Sequence, residues 1–146
     1  MGILYPEQVE YVDVEEMQQT HEDEISILNA IDKLATEYER DASKKPELEV
    51  KLDEYIEHVQ THFANEERLM EKYDFYAFEM HKMAHDMFII DLNYAIKQWK
   101  EFGDIERMTT FVRKSPEWII MHINTMDVAT ARHIALAMEA EKEESN

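Results

Sequence analysis

The most regular feature of the chain is a run of mainly apolar positions between residues 48 and 73, separated by alternating steps of four and three. Such spacing places side chains along one face of an α-helix, so it predicts a helix from about Pro46 to Lys72. Two polar residues stand in the middle of this apolar face. Its positions are Leu48, Leu52, Tyr55, Val59, His62, Glu66, Leu69 and Tyr73.

Three further stretches show similar spacing and predict three more helices. They cover about Val14 to Glu39, about Tyr76 to Phe102, and about Pro116 to Ala140. The inward positions of the first stretch are His21, Ile25, Leu28, Asp32 and Ala35. Those of the second are Phe78, His81, His85, Phe88, Leu92, Ala95, Trp99 and Phe102. Those of the third are Ile119, His122, Met126 and Ala129.

Turn-forming and capping residues mark the boundaries between these helices. Residues 41–46 form a short loop, and its proline suits the first turn of the following helix. Gly103 is a helix stop, and Asp104 is an N-cap for the segment that follows. Residues 104–114 are expected to form a short helix of their own. Ser115-Pro116 then has the form of an N-cap with proline at the first helical position.

Short loops favour antiparallel neighbours, so the fold class is predicted as all-α, an up-down-up-down antiparallel four-helix bundle. The chain of 146 residues is expected to form a single domain, residues 1–146. Residues 1–12 are interpreted as an N-terminal arm that lies on the bundle. Residues 139–146 form a charged tail that is expected to fray.

Composition and charge exclude several classes of protein. There is no cysteine, which rules out disulfides, iron–sulfur clusters and thiolate zinc sites. The formal net charge of −18 argues against nucleic acids and anionic membrane surfaces as partners, because both require basic patches. No apolar run is long enough to span a bilayer. We therefore expect a soluble, cytoplasmic protein with no membrane span.

The polar residues within the apolar faces are the candidate chemistry. They occur as H, H-x-x-x-E, H-x-x-x-H and H-x-x-x-x-D, and a spacing of four places two side chains one turn apart on one face. Burying so many ionisable groups is costly unless they are paired or bind a metal. The sequence therefore predicts a metal centre inside the bundle. Its candidate ligands are His21, His62, Glu66, His81, His85, His122 and Asp127.

Five imidazoles and two carboxylates are too many for one ion and suit two. If both carboxylates and a solvent-derived oxygen bridge the ions, three histidines complete six-coordination at one of them. Two histidines leave the other ion with an open position, which binding a small exogenous ligand requires. The donor set suits iron, manganese, copper, nickel or zinc, so the ligands alone leave the metal open.

These motifs resemble the signature of the hemerythrin family over roughly residues 11–130. The matching stretches are Thr20 to Glu22, His62 to Glu67, His81 to His85 followed by Phe88, and Trp118 to Asp127. The resemblance implies a hemerythrin-like domain with an oxo- or hydroxo-bridged pair of non-haem iron ions that binds dioxygen. It also implies that His81, His85 and His122 ligate the saturated iron, His21 and His62 ligate the iron that dioxygen approaches, and Glu66 and Asp127 bridge.

Three functions remain open on this scaffold. The favoured one is reversible, non-enzymatic dioxygen binding, used for storage, for delivery to an oxygen-consuming enzyme, or for sensing. The second is a di-iron enzyme that is peroxidase-like, handles nitric oxide or repairs iron centres. The third is simple metal storage.

Three details of the pattern need a structural answer. His58 lies four residues before His62 but beside the apolar face of the helix, so we expect it outside the metal centre. His133 lies about three turns from His122, which is too far along the helix to share the centre. In a regular helix Asp127 would point about 140° away from His122. We therefore expect a π-bulge or a loosened turn near Asn124. Phe63, Phe88 and Trp118 are interpreted as core residues, some of which could also line the dioxygen pocket.

Overall fold

The computed structural model describes residues 2–144, which contain helices and no strand. The helices are α1 (Glu15–Arg40), α2 (Lys45–Lys72), α3 (Phe78–Phe102), α4 (Ile105–His122) and α5 (Val128–Glu144). A π-helical turn, Ile123–Asp127, joins α4 and α5 into one continuous fourth helix, and short 3₁₀ turns span Pro6–Gln8 and Ala42–Lys44. Met1, Ser145 and Asn146, at the ends of the predicted arm and tail, lie outside the described residues.

The helices pack as a four-helix bundle around one apolar core. Helix α1 contacts α2 and α4, α2 contacts α3, and α3 contacts α4. Fully buried side chains from these helices fill the space between them, because each helix presents an apolar face to its neighbours. Among residues 2–144, no helix combines the length and apolar character that crossing a membrane requires. The core includes Leu28, Ile31, Leu52, Tyr55, Leu92, Met108 and Ile134.

The start of the fourth helix differs from the prediction. Residues 104–114 do not form a separate helix, because α4 begins at Ile105 and runs through Ser115-Pro116 without a break. Asp104 caps it, since its carboxylate accepts a hydrogen bond from the Arg107 N–H at 3.0 Å. The predicted N-cap at Ser115 is therefore wrong, and Pro116 lies inside the helix.

A neighbouring hydroxyl explains how an interior proline is tolerated. Pro116 has no N–H to donate to the carbonyl of Val112, which an unbroken helix would require. The Ser115 hydroxyl donates to that same carbonyl at 2.7 Å instead, and the serine side chain is buried. Ser115-Pro116, which suggested a helix start, therefore lies inside the helix, and its serine supplies the hydrogen bond to the Val112 carbonyl that its proline cannot make.

The connection between α2 and α3 is a Schellman motif with an unusual residue. The Phe75 N–H donates to the Met70 carbonyl at 2.9 Å, and the Asp74 N–H donates to the Glu71 carbonyl at 3.3 Å. Asp74 occupies the position that glycine usually takes, with φ of 51°. Phe75 and Met70 are both buried, which supplies the apolar contact typical of this motif. Helix α3 consequently begins at Phe78, slightly later than predicted.

The N-terminal arm lies on the bundle and is held by two asparagines. The Asn29 side chain accepts from the N–H groups of Ile3 and Leu4 and donates to the Leu4 carbonyl at 2.8 Å. Asn124, in the π turn, accepts from the Glu10 N–H at 2.8 Å. The arm therefore contacts the helix segment that is locally deformed.

The π turn also changes which residues face the core. Regular spacing predicted Met126 and Ala129 as inward positions of the fourth helix. Because the π turn contains an extra residue, Asp127 and Thr130 face the core instead. Ala129 is exposed, whereas Thr130 is fully buried. One other inward prediction was wrong, because Phe102 at the end of α3 is exposed. Asp32 is partly buried and its carboxylate pairs with Arg113 of α4.

The outer face of α3 carries a row of exposed apolar side chains. They follow one another at steps of four and three, so they form a continuous stripe on the side of the helix opposite the core. This methionine stripe consists of Met80, Met83, Met87, Ile90 and Tyr94.

Candidate metal centre

All seven residues predicted as ligands converge on one buried place between the bundle helices. Helix α1 contributes one of them, α2 and α3 contribute two each, and the fourth helix contributes two. Every one of these side chains is buried, with at most 6 % exposed. Their donor atoms fall into two overlapping groups that could each hold an ion. These groups are Glu66, His81, His85, His122 and Asp127, and His21, His62, Glu66 and Asp127.

Glu66 divides its two carboxylate oxygens between the groups. Its Oε2 lies 2.6 Å from His62 Nε2 and 3.9 Å from His21 Nε2. Its Oε1 lies 3.2 Å from His85 Nε2 and 3.4 Å from His81 Nε2. A carboxylate in this orientation can supply one oxygen to each of two ions.

Asp127 divides its oxygens in the same way from the opposite helix. Its Oδ2 lies 2.9 Å from His21 Nε2. Its Oδ1 lies 3.0 Å from His81 Nε2 and 3.2 Å from His122 Nε2. The two carboxylates therefore separate the five histidines into a set of three and a set of two.

The π turn places Asp127 in this position. A regular helix would turn the side chain five residues after His122 away from it, whereas the wider turn over Ile123–Asp127 brings both onto one face. The expectation of a π-bulge near Asn124 is confirmed.

Several donor atoms inside the cluster fit a bound metal because nothing in the described chain satisfies them. Glu66 Oε1, Asp127 Oδ1 and His85 Nε2 are buried without a hydrogen-bond partner. Buried polar atoms are nearly always paired, and such atoms directed at a common point are typical of metal ligands. The donor set, imidazole and carboxylate without thiolate, also matches the ligands of non-haem iron.

The outward ring nitrogens of three histidines face oxygen atoms. His81 Nδ1 lies 2.8 Å from the Thr130 hydroxyl, and His85 Nδ1 lies 3.0 Å from the Glu67 carboxylate. His62 Nδ1 lies 3.6 Å from Glu24 Oε1. The contacts of His81 and His85 fix their tautomers, so each of these two rings presents its other nitrogen to the centre.

The two sides of the centre have different surroundings. Aromatic rings pack against the three-histidine side: Phe63 stacks on His85 with ring centroids 3.8 Å apart, and Trp118 stacks on His122 at 4.4 Å. Phe88 in turn stacks on Trp118. Phe63 and Phe88 are buried core residues, as predicted, whereas Trp118 is partly buried and packs against the core. All three line this side of the centre.

The two-histidine side borders a polar cleft between α1 and α2. The cleft has a volume of about 600 Å³ and reaches the His62 side chain. Its other lining residues include Asp23, Glu54, Glu57 and His58. Solvent thus approaches the centre from the side of His62.

In the metal-free protein the buried groups form ion pairs. Burial lowers the pKa of His62, but the charges of Glu66 and Glu24 outweigh it and hold that pKa well above its usual value. Burial acts in the same way on His81, whereas Asp127 and Glu66 raise its pKa to about 9.

The two carboxylates show the converse shift. Burial raises the pKa of Glu66, as does the charge of Asp127, yet His62 and His81 hold it well below the usual range. The pKa of Asp127 is also raised by burial and is held well below its usual range by His122, His21 and His81. Both carboxylates therefore stay ionised at neutral pH.

The chain is similar to two curated proteins, both named bacteriohemerythrin. One, from Aquifex aeolicus strain VF5, is 29 % identical over 133 residues, which cover 90 % of this chain and 98 % of that protein. The other, from Ralstonia nicotianae, is 33 % identical over 76 residues, covering 52 % of this chain and 55 % of that protein. These two similarities support membership of the hemerythrin family. No family model and no solved structure matches it.

The hemerythrin family is characterised by a non-haem iron site, and the buried cluster of this chain could bind a metal. The other two histidines lie outside the seven-residue cluster. His133 contacts the Tyr73 carbonyl at 2.6 Å and packs against Phe75, as its distance along the helix predicts. His58 lies beside His62, with ring centroids 5.8 Å apart, on the side of the cleft.

Sequence reasoning missed the residues that support this hemerythrin-type cluster. No role was predicted for Glu24 or Glu67, although Glu24 lies three residues after His21 and therefore on the same inward face of α1. That spacing was an available signal. Thr130 had none, because only the π turn brings it opposite His81.

Proposed function

We propose that this chain binds dioxygen reversibly at a di-iron centre and is not an enzyme. The observation that carries the proposal is the sharing of Glu66 and Asp127 between two groups of histidines, each carboxylate directing one oxygen to each group. Such sharing suits two iron ions, one for each group. Membership of the hemerythrin family supports iron as the metal.

The proposed ligands are the seven clustered residues. His81, His85 and His122 would hold one iron, His21 and His62 would hold the other, and Glu66 and Asp127 would hold both. When bound, the pair would supply two electrons to dioxygen and an open coordination position on the two-histidine side. The asymmetry of the surroundings supports this assignment, because aromatic rings cover His85 and His122 while the polar cleft approaches His62. A smaller, mainly apolar pocket reaches His81 from the other side.

The chain's own residues would orient the ligands and limit access of water. Thr130 and Glu67 fix the rings of His81 and His85 through their outward nitrogens. Phe63 and Trp118 cover two ligand rings with apolar surface. This apolar cover disfavours the entry of water and protons at the three-histidine side of the centre.

The up-down-up-down arrangement of the bundle is part of the proposal. It is supported by the packing of each helix against the next one along the chain and by the short connections between them. Antiparallel order would bring the first halves of α1 and α3, the second half of α2 and the π turn of the fourth helix to one level, where the ligands occur.

Metal stoichiometry tests the ligand assignment. We expect two iron ions per chain, one for each ligand group, and we expect them to be lost together because Glu66 and Asp127 serve both. Glu66→Ala should therefore lose far more iron than His58→Ala, because only Glu66 lies between the two groups. A stable single zinc ion per chain in aerobically purified protein would contradict the di-iron proposal.

Cycles of oxygenation distinguish a carrier from an enzyme. The protein is reduced without air, exposed to dioxygen and then evacuated, while its visible absorption is recorded. A carrier should gain an absorption band with dioxygen and lose it on evacuation over several cycles. Immediate conversion to the oxidised form, with nothing restored by evacuation, would favour a di-iron enzyme or metal storage.

A further inference from the structure

Glu24, His58 and His62 form a second group of potential metal ligands, and two of them, His58 and His62, line the cleft between α1 and α2. We propose that this group is a loading site, where a divalent cation binds before it enters the di-iron centre. The inference rests on the proposed function, because it concerns how that centre acquires its metal.

The geometry of the three side chains fits a cation. One donor atom from each lies within 4.8 Å of the others. Glu24 is buried, and its Oε2 accepts a hydrogen bond from the Tyr55 hydroxyl at 2.9 Å, which leaves Oε1 facing His62 Nδ1 at 3.6 Å. His58 Nε2 and His62 Nδ1 are buried atoms with no hydrogen-bond partner in the described chain. A cation would satisfy both nitrogens.

The cleft that leads to this group favours cations. Asp23, Glu54 and Glu57 line it, and its basic residue, Lys51, forms an ion pair with Glu54 at 2.9 Å. A recess lined mainly by one sign of charge concentrates counter-ions and accelerates their association. One carboxylate and two imidazoles, completed by water, suit Fe²⁺ and similar first-row ions such as Co²⁺.

His62 connects the loading site with the di-iron centre. Its Nδ1 faces Glu24 in the cleft, and its Nε2 faces Glu66 in the centre. A neutral imidazole has a lone pair on only one of its two nitrogens, so His62 can ligate on one side at a time. A cation held at Nδ1 must therefore leave before Nε2 serves the centre. The loading site empties as the centre fills, and the loaded protein holds no third ion.

The kinetics of metal uptake test this proposal. Metal-free protein is mixed rapidly with Co²⁺, and the growth of cobalt absorption gives the loading rate, while metal analysis gives the final stoichiometry. His58→Ala should load about tenfold more slowly, as expected for the loss of one ligand, and should reach the same stoichiometry as the unaltered protein. Gln60→Ala, an exposed change on the same helix, is the matched control and should load at the unaltered rate.

A second variant separates ligation from access. His58→Ala widens the cleft, whereas His58→Phe keeps a ring there without a lone pair, and both should load slowly. Loading of His58→Ala at the unaltered rate would overturn the proposal, as would a third ion retained after complete loading. If the unaltered protein fails to bind two ions, the proposed di-iron function fails instead.

Discussion

At the scale of single residues, His81 and His85 use their two ring nitrogens for different contacts. The inner nitrogens of His81 and His85 face the shared carboxylates, and the outer ones face Thr130 and Glu67. The outer contact fixes which nitrogen carries the proton and therefore which one is free to bind a metal. The affinity of the centre thus depends on residues that do not touch the metal.

Replacing Thr130 by valine tests this dependence. Valine keeps the shape of the side chain but removes the hydroxyl that lies 2.8 Å from His81 Nδ1. We expect the affinity for Fe²⁺ or Co²⁺ to fall about tenfold, measured by competition with a chelator. Thr125→Val is the control, because that hydroxyl contacts only the Met121 carbonyl on the exposed side. Equal affinities for Thr130→Val and the unaltered protein would contradict the prediction.

The sequence predicted the seven clustered side chains because an ionisable residue in an apolar face is conspicuous and helical spacing is regular. It did not predict the support from Glu24, since an acidic residue on a helix usually faces water and this chain has many of them. Burial of Glu24 depends on the hydroxyl of Tyr55 from another helix, which spacing within α1 cannot reveal.

At the scale of the helix, the fourth helix contains two irregular features, an interior proline and a π turn. The sequence analysis misinterpreted the proline and predicted the π turn without its effect on the later inward positions. Pro116 was interpreted as a helix start because an isolated proline usually marks one. The helix continues because Ser115 satisfies the carbonyl that proline leaves free. Ten residues or so further on, the π turn moves Thr130 inward and Ala129 outward, so the inward positions after it could not follow from regular spacing.

A double-mutant cycle tests the role of the serine. Ser115→Ala should lower the free energy of unfolding by about 1–3 kcal/mol, because the buried Val112 carbonyl loses its partner. In the Pro116→Ala background the same change should cost much less, since the alanine N–H can donate to that carbonyl. Denaturant unfolding of the four proteins measures the coupling. Strict additivity would show that Ser115 does not compensate for the proline.

At the scale of the whole molecule, the sequence predicted an all-helical bundle because apolar periodicity, few glycines and long uninterrupted segments agree. Folding brings carboxylates and protonated histidines together in the interior, so the metal-free bundle contains a buried network of ion pairs. Metal binding must displace the protons of that network. Fold and metal affinity are therefore linked through pH.

The affinity for divalent metal should rise with pH. The pKa of His81 is raised from 6.5 to about 9 in the metal-free protein, so below that range the ring must lose a proton to bind. Each proton displaced contributes about tenfold in affinity per pH unit. Competition titrations at pH 6.5, 8 and 9 would measure this rise. An affinity that is constant over this range would contradict the assignment of His81 as a ligand.

Without metal the trend in stability should be the reverse. His81 has a higher pKa in the folded chain than in the unfolded chain, so protonation favours folding. Its contribution is fully present below pH 6.5 and is lost as the pH rises through about 9. Thermal unfolding of the metal-free and metal-loaded proteins over this range should show the stabilisation by metal growing with pH. A pH-independent difference in melting temperature would contradict the linkage.

The methionine stripe on α3 gives the molecule a surface that changes chemically in the presence of peroxide. Oxidation converts a thioether to a polar sulfoxide, and exposure governs which methionines react first. Met80, Met83 and Met87 are at least 60 % exposed, whereas Met70 and Met108 are fully buried. Mild hydrogen peroxide should therefore modify the exposed set first, as peptide mass spectrometry would show, while circular dichroism stays unchanged. A protein that handles dioxygen would then carry, on one helix, a face that turns from apolar to polar with its oxidative history.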